Sequence, residues 1–163
     1  MRRKLAERSG LTLVEMLAAV AVMALLGLVL TTGIQLALDS YHDMVAQSET
    51  ELLLSTLADV LVDDLRYADD VKTDADDKLD SYTSDSYGEQ VKLLVDDGKV
   101  YAHNDRGNKL RVLPDGAYGK GRYIVKTMDI EYKDGIFNLK LSVIEKNGTI
   151  EESTELSVRC LNP

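Results

Sequence analysis

One cysteine, two histidines, two prolines and no tryptophan are spread over 163 residues. A single cysteine excludes an internal disulfide framework and any zinc site built from several thiolates. His42 and His103 leave little material for a metal or triad enzyme. Neither has a Ser, Cys or acidic partner at a recognisable spacing. No catalytic constellation is therefore expected, and no cofactor. Positive charge is also scarce, with 19 Lys and Arg against 28 Asp and Glu and a net charge of −9. That balance argues against nucleic acid as a partner of the whole surface. The chain is still neither disordered nor collagenous, because 45% of its residues are hydrophobic and 29% charged. At this length one domain is expected, with any extra segment a tail or an anchor.

The distribution is uneven. Residues 1–10, MRRKLAERSG, carry Arg2, Arg3, Lys4 and Arg8 against Glu7 alone, a balance of +3, which leaves −12 for the remainder. Immediately afterwards, Met16 to Leu38 form 23 residues without a charge. As a helix at about 1.5 Å per residue, this run spans roughly 34 Å, enough for a bilayer core. The basic residues before it predict a cytoplasmic N-terminus and a head outside. An ordinary secretory signal fits poorly, because the apolar run is too long and Thr31-Thr32-Gly33 is a weak cleavage site. Glu15 fits worse. A carboxylate inside such a stretch costs several kcal/mol, about 3 or more, unless it is paired or neutralised, so it calls for a functional reason.

A basic leader ending in Ser9-Gly10, then Leu11-Thr12-Leu13-Val14-Glu15-Met16-Leu17 and an apolar run, resembles the N-terminus of type IV pilins and pseudopilins. The resemblance implies cleavage after Gly10 by a prepilin peptidase and N-methylation of the new terminus at Leu11. Leu11 stands where most members carry phenylalanine. Glu15 would then be the assembly residue. The ammonium of one subunit would lie beside the Glu15 carboxylate of its neighbour, so that two charges costly in hydrocarbon neutralise each other. Other pilin or pseudopilin subunits and an inner-membrane assembly platform are the implied partners, with the lipid bilayer as the site before assembly. The implied location is the cytoplasmic membrane, single-pass, and then a surface filament such as a fimbrium. Motility, adhesion, secretion and DNA uptake or competence all stay open as roles. Small residues Ala18, Ala19, Ala21, Ala24 and Gly27 permit close helix packing.

The helix is expected to continue past the membrane. Ile34, Leu38, Tyr41, Val45, Ser48 and Leu52 follow a three-or-four spacing, continued with a slight shift by Leu54, Leu57, Leu61, Leu65 and Ala68. No Pro or Gly interrupts 34–67. The helix end, Asp64-Leu65-Arg66-Tyr67-Ala68, also resembles that of minor pilins and pseudopilins. Residues 69–88, rich in Asp, Ser and Thr, read as an acidic exposed loop. Beyond it, short alternating runs are separated by Asp96-Asp97-Gly98, Lys133-Asp134-Gly135 and Lys146-Asn147-Gly148. These predict an antiparallel meander, read as one sheet, with separate runs at 122–127 and 129–133. The expected fold is α+β, a long N-terminal helix packed against a small antiparallel sheet. Its divisions are a leader at 1–10, a filament-core helix at 11–38, an amphipathic continuation at 39–68, the loop at 69–88 and a sheet head at 89–163.

Two charge clusters suggest further sites. Asp74, Asp76, Asp77 and Asp80 offer oxygen ligands for calcium, but without an EF-hand glycine or distal glutamate, and a solvated loop is the better reading. Lys99, Arg106, Lys109, Arg111, Lys120, Arg122 and Lys126, with only Asp105 and Asp115 among them, give residues 99–126 a balance of +5. Interleaved Tyr101, Tyr118 and Tyr123 make a single-strand DNA platform conceivable, the least supported partner. Complementarity between this basic stretch and the acidic helix end of another subunit is preferred. Cys160 reads as a small apolar residue on the last strand. The sequence thus points to a non-enzymatic minor pilin or pseudopilin. The alternative is a single-pass, membrane-anchored extracellular binding or sensor domain.

Overall fold

The computed structural model describes residues 12–148 and 150–162. They form one α-helix, α1 (Leu13–Arg66), followed by eight strands: β1 (Asp69–Thr73), β2 (Leu79–Ser84), β3 (Gly88–Asp96), β4 (Lys99–His103), β5 (Lys109–Arg111), β6 (Tyr123–Lys133), β7 (Ile136–Glu145) and β8 (Glu151–Arg159). The architecture is α+β, a long apolar N-terminal helix packed against antiparallel sheets. The chain divides into two units, one ending at His42 and one beginning at Asp43.

In the first unit, α1 runs unbroken through Gly27 and Gly33. No described side chain there is buried. Its polar hydroxyls are satisfied locally: Thr31 donates to the Gly27 carbonyl at 2.8 Å and Thr32 to the Leu28 carbonyl at 3.1 Å. Such back-bonding lets threonine sit in an apolar helix without an orphan donor. This helix is the one described element long and apolar enough to cross a membrane, with a mean hydropathy of 2.6 over its best stretch.

In the second unit, Ala46, Thr50, Leu53, Leu54, Leu57, Ala58, Leu61 and Leu65 are buried. Steps of three and four keep them on one face of α1. The expected stripe is buried from Leu54 onward; before it Val45 is half-buried, while Ile34, Leu38, Tyr41, Ser48 and Leu52 are exposed. The core that covers this face includes Tyr82, Val91, Val100, Tyr118, Phe137, Leu139 and Val143.

The strands make two sheets where one was expected, in orders β1-β2-β3-β4-β5 and β6-β7-β8, each a sequential meander. They are stitched together by backbone bonds from Val125 to the Gly98 carbonyl and from Tyr132 to the Asp77 carbonyl, both 2.8 Å. The 69–88 segment corrects the loop reading, since it contains β1 and β2. Strand β1 alternates little because four of its five residues are exposed, and β2 buries Ser81, Tyr82 and Ser84 rather than aliphatic residues. The runs at 122–127 and 129–133 belong to one strand, β6, with a bulge between Val125 and Thr127. The two Asp-Gly turns behave as their residues demand. Asp97 and Gly98 have φ of 46° and 69°, Asp134 and Gly135 53° and 78°, the paired positive angles of type I′ hairpins. The chain end is tied in as well, with Leu161 N–H donating to the Arg66 carbonyl at 2.8 Å.

Candidate functional site

The start of α1 is built by two side chains. Thr12 precedes the helix and its carbonyl accepts the first helical bond, from Met16 N–H at 3.1 Å. Its hydroxyl accepts from Glu15 N–H at 3.2 Å, while its own N–H donates to Glu15 Oε2 at 2.9 Å. The Thr12 hydroxyl also donates to that oxygen at 3.0 Å. This is a capping box, which satisfies two of the amide groups left open at a helix start. The signature Thr-x-x-Glu was readable in the sequence as a helix start. Glu15 thus has a local partner and forms no salt bridge among the described residues. Gly10 and Leu11, the expected processing residues, lie outside the described residues.

The basic set is dispersed into ion pairs. Lys99 and Arg111 both bind Asp115, at 2.8 and 2.6 Å. Lys109 pairs with Asp96, Arg122 with Glu145 at 2.9 Å, and Lys126 with Glu151 at 2.6 Å. Arg106 and Lys120 form no salt bridge among the described residues. The interleaved tyrosines are committed too. Tyr118 and Tyr123 are buried, and the Tyr118 hydroxyl accepts from Val100 N–H at 3.1 Å. Tyr101 is covered by the Lys109 ammonium, 4.0 Å from its ring centroid. Of the three rings, Tyr101 is the part-exposed one.

The calcium candidates are used individually. Asp74 Oδ1 accepts from the N–H groups of Asp76 and Lys78, both at 2.9 Å, and so shapes the turn between β1 and β2. Asp77 faces Lys133 at 3.6 Å and Asp80 binds Lys92 at 2.7 Å. Among the described residues no three His, Cys, Asp or Glu side chains are gathered around one point.

One polar cluster was not legible. Asp64, on the polar side of α1, accepts from the Tyr82 hydroxyl and from Ser84 Oγ, each at 2.5 Å. Ser84 Oγ in turn accepts from the N–H groups of Ser86 and Tyr87 at 3.1 Å. Burial raises the Asp64 carboxyl above its ordinary 3.8 despite these donors, with smaller contributions from Asp85 and Asp63. Burial beside the same carboxylate drives the Tyr82 phenol far above its ordinary 10. The partners are 18 and 20 residues apart, so no local spacing could announce them. Cys160 is buried just after β8, its thiol donating to the Ala68 carbonyl at 3.2 Å.

No known family model, curated protein or solved structure matches this chain.

Proposed function

We propose that the chain is a structural subunit, a minor pilin or pseudopilin, of a type IV pilus-like filament. The observation that carries this reading is the junction at residues 9–17. A Ser-Gly leader end is followed within three residues by the start of an apolar helix that has no buried side chain among the described residues up to His42, and Glu15 sits in its first turn. Cleavage after Gly10 places a cationic amine at Leu11, adjacent to the cap residue Thr12. The capping box takes Glu15 Oε2, and Oε1 accepts no hydrogen bond among the described residues. That leaves the carboxylate charge available to the amine of a neighbouring subunit. In hydrocarbon the two charges stabilise each other far more than in water.

Mass spectrometry of the membrane-extracted protein tests this directly. A chain beginning at Leu11 and heavier by one methyl group is expected. An intact Met1, or a start near Ile34, overturns the reading.

The second reading is a single-pass anchored binding or sensor domain, and the Thr12–Glu15 box favours it. A glutamate that caps its own helix has a use without any neighbouring chain. Under that reading Glu15 is interchangeable with Gln, which also completes a capping box.

A further inference from the structure

Gly119, Lys120 and Gly121 hold consecutive positive φ angles of 55°, 58° and 90°. Glycine adopts this backbone freely, whereas lysine is strained there. Most other non-glycine residues with positive φ are aspartates (Asp70, Asp77, Asp97 and Asp134), a type that tolerates the region. Lys120 and Gln90 are not of that type, and the strained Lys120 backbone, set between two glycines, points to a use for its side chain.

The loop is fixed from beneath. A Cβ on Gly119 would lie 2.8 Å from the Tyr123 ring, so the backbone rests directly on that buried tyrosine. Lys146 N–H donates to the Arg122 carbonyl at 2.8 Å, which brings the β7–β8 connection alongside. Residues 119–122 and 145–147 line a cavity of about 390 Å³. Among its lining residues are three cations, Lys120, Arg122 and Lys146, all exposed, and one carboxylate, Glu145. Glu145 holds Arg122 through Nε at 2.9 Å, which leaves the terminal guanidinium nitrogens for another partner. Lys120 and Lys146 form no salt bridge among the described residues. The lining residues therefore sum to +2, three cations less one carboxylate, in a chain whose net charge is −9, with Glu49 also near enough to act on Arg122.

We propose that this cavity is a binding site for a phosphate monoester, free in solution or carried on a lipid headgroup. A dianion matches the excess charge, and Arg122 offers paired donors to its oxygens. A track for a nucleic-acid backbone would need further free cations, but Lys99, Lys109, Arg111 and Lys126 are already paired. The site is independent of filament assembly and stands or falls separately from it.

Thermal unfolding of the full-length protein in detergent tests the site, with inorganic phosphate against chloride at equal ionic strength. A second arm uses nanodiscs of phosphatidylcholine with and without phosphatidate. At phosphate about tenfold above Kd, an upward shift of about 4 °C is expected. Lys120→Gly removes the ammonium and relieves the strained backbone, so its unfolding temperature without phosphate should rise while the phosphate shift disappears. Lys146→Gln should lose most of the shift, and Lys99→Gln should keep it. A response to phosphate alone assigns a free ligand; a response in both arms assigns the headgroup as well. The proposal is overturned by no shift in either arm, by an undiminished shift in both Lys120→Gly and Lys146→Gln, or by binding of a single-stranded oligonucleotide without any response to phosphate.

Discussion

The Tyr82 hydroxyl donates to Asp64 at 2.5 Å and so fastens strand β2 to the last turns of α1. Tyr82 is fully buried. Removing its acceptor leaves a buried hydroxyl without a partner, which costs about 1–3 kcal/mol. Asp64→Ala should therefore lower the urea midpoint by that equivalent, and Asp64→Asn, which retains a carbonyl acceptor, by less.

The same carboxyl sets a pH dependence of unusual sign. Its folded pKa is raised above 3.8, so the folded state holds this proton more tightly than the unfolded chain. Ionised at neutral pH, the group opposes folding. As pH falls through the raised folded value towards 3.8, that opposition fades. Urea titrations from pH 7 to 4 should show the wild type gaining relative to Asp64→Asn across this window. A difference that stays constant with pH would remove Asp64 from the account.

Glu15→Gln separates capping from charge. Gln still accepts from Thr12 N–H, so the helix start should persist, and processing at Gly10 should continue. Incorporation should fail, since breaking a buried ion pair by removing one partner costs on the order of 3–5 kcal/mol. The measurement is the amount of mature variant in sheared surface filaments, expected to drop by two or more decades, or about 100-fold. Wild-type copurification would sink the proposed pairing. Gly10→Val should leave the leader attached while the chain still enters the membrane.

Two glycines with nearly equal φ make a controlled pair. Gly98 has φ +69°, and an added Cβ would lie 2.5 Å from Ile124 Cβ; Gly107 has φ +73° with nothing within 4 Å. Gly107→Ala should cost about 1 kcal/mol from left-handed strain alone. Gly98→Ala adds overpacking and should cost about 2–4 kcal/mol. Equal losses by chemical denaturation would mean that the β3–β4 turn does not bear on β6 as described.

Along α1, burial predicts opposite outcomes for one substitution. Leu57→Ala, at 0% exposure, should cost about 2–5 kcal/mol. Leu52→Ala, at 66% exposure, should stay within about 0.5 kcal/mol.

What could be read in the sequence follows the range of the forces involved. The helix and the two Asp-Gly hairpins depend on neighbours within a few positions, and they appear where periodicity and turn chemistry put them. The helix stripe was legible only where a sheet covers it. From Ile34 to Leu52 the apolar spacing exists, but among the described residues that face is exposed except at the half-buried Val45. Strands β1 and β2 were not legible because β1 is almost wholly exposed and β2 buries two serines and a tyrosine, of which Tyr82 and Ser84 bond the remote Asp64 carboxylate. The basic stretch looked continuous because its counter-ions are remote in sequence: Glu145 lies 23 residues from Arg122 and Glu151 lies 25 from Lys126. The Thr12–Glu15 box is local, with partners three residues apart, and the Thr-x-x-Glu spacing announces it.

The enclosed Cys160 thiol gives the molecule a natural clock. With a single sulfhydryl in the chain and its sulfur held against the Ala68 carbonyl, an alkylating reagent reacts only when the junction between the helix end and the last strand opens. The rate of labelling in an unmodified protein therefore reads how often that junction parts. A partner that clamps the head should slow the clock, and one that pries the C-terminal strand away should speed it.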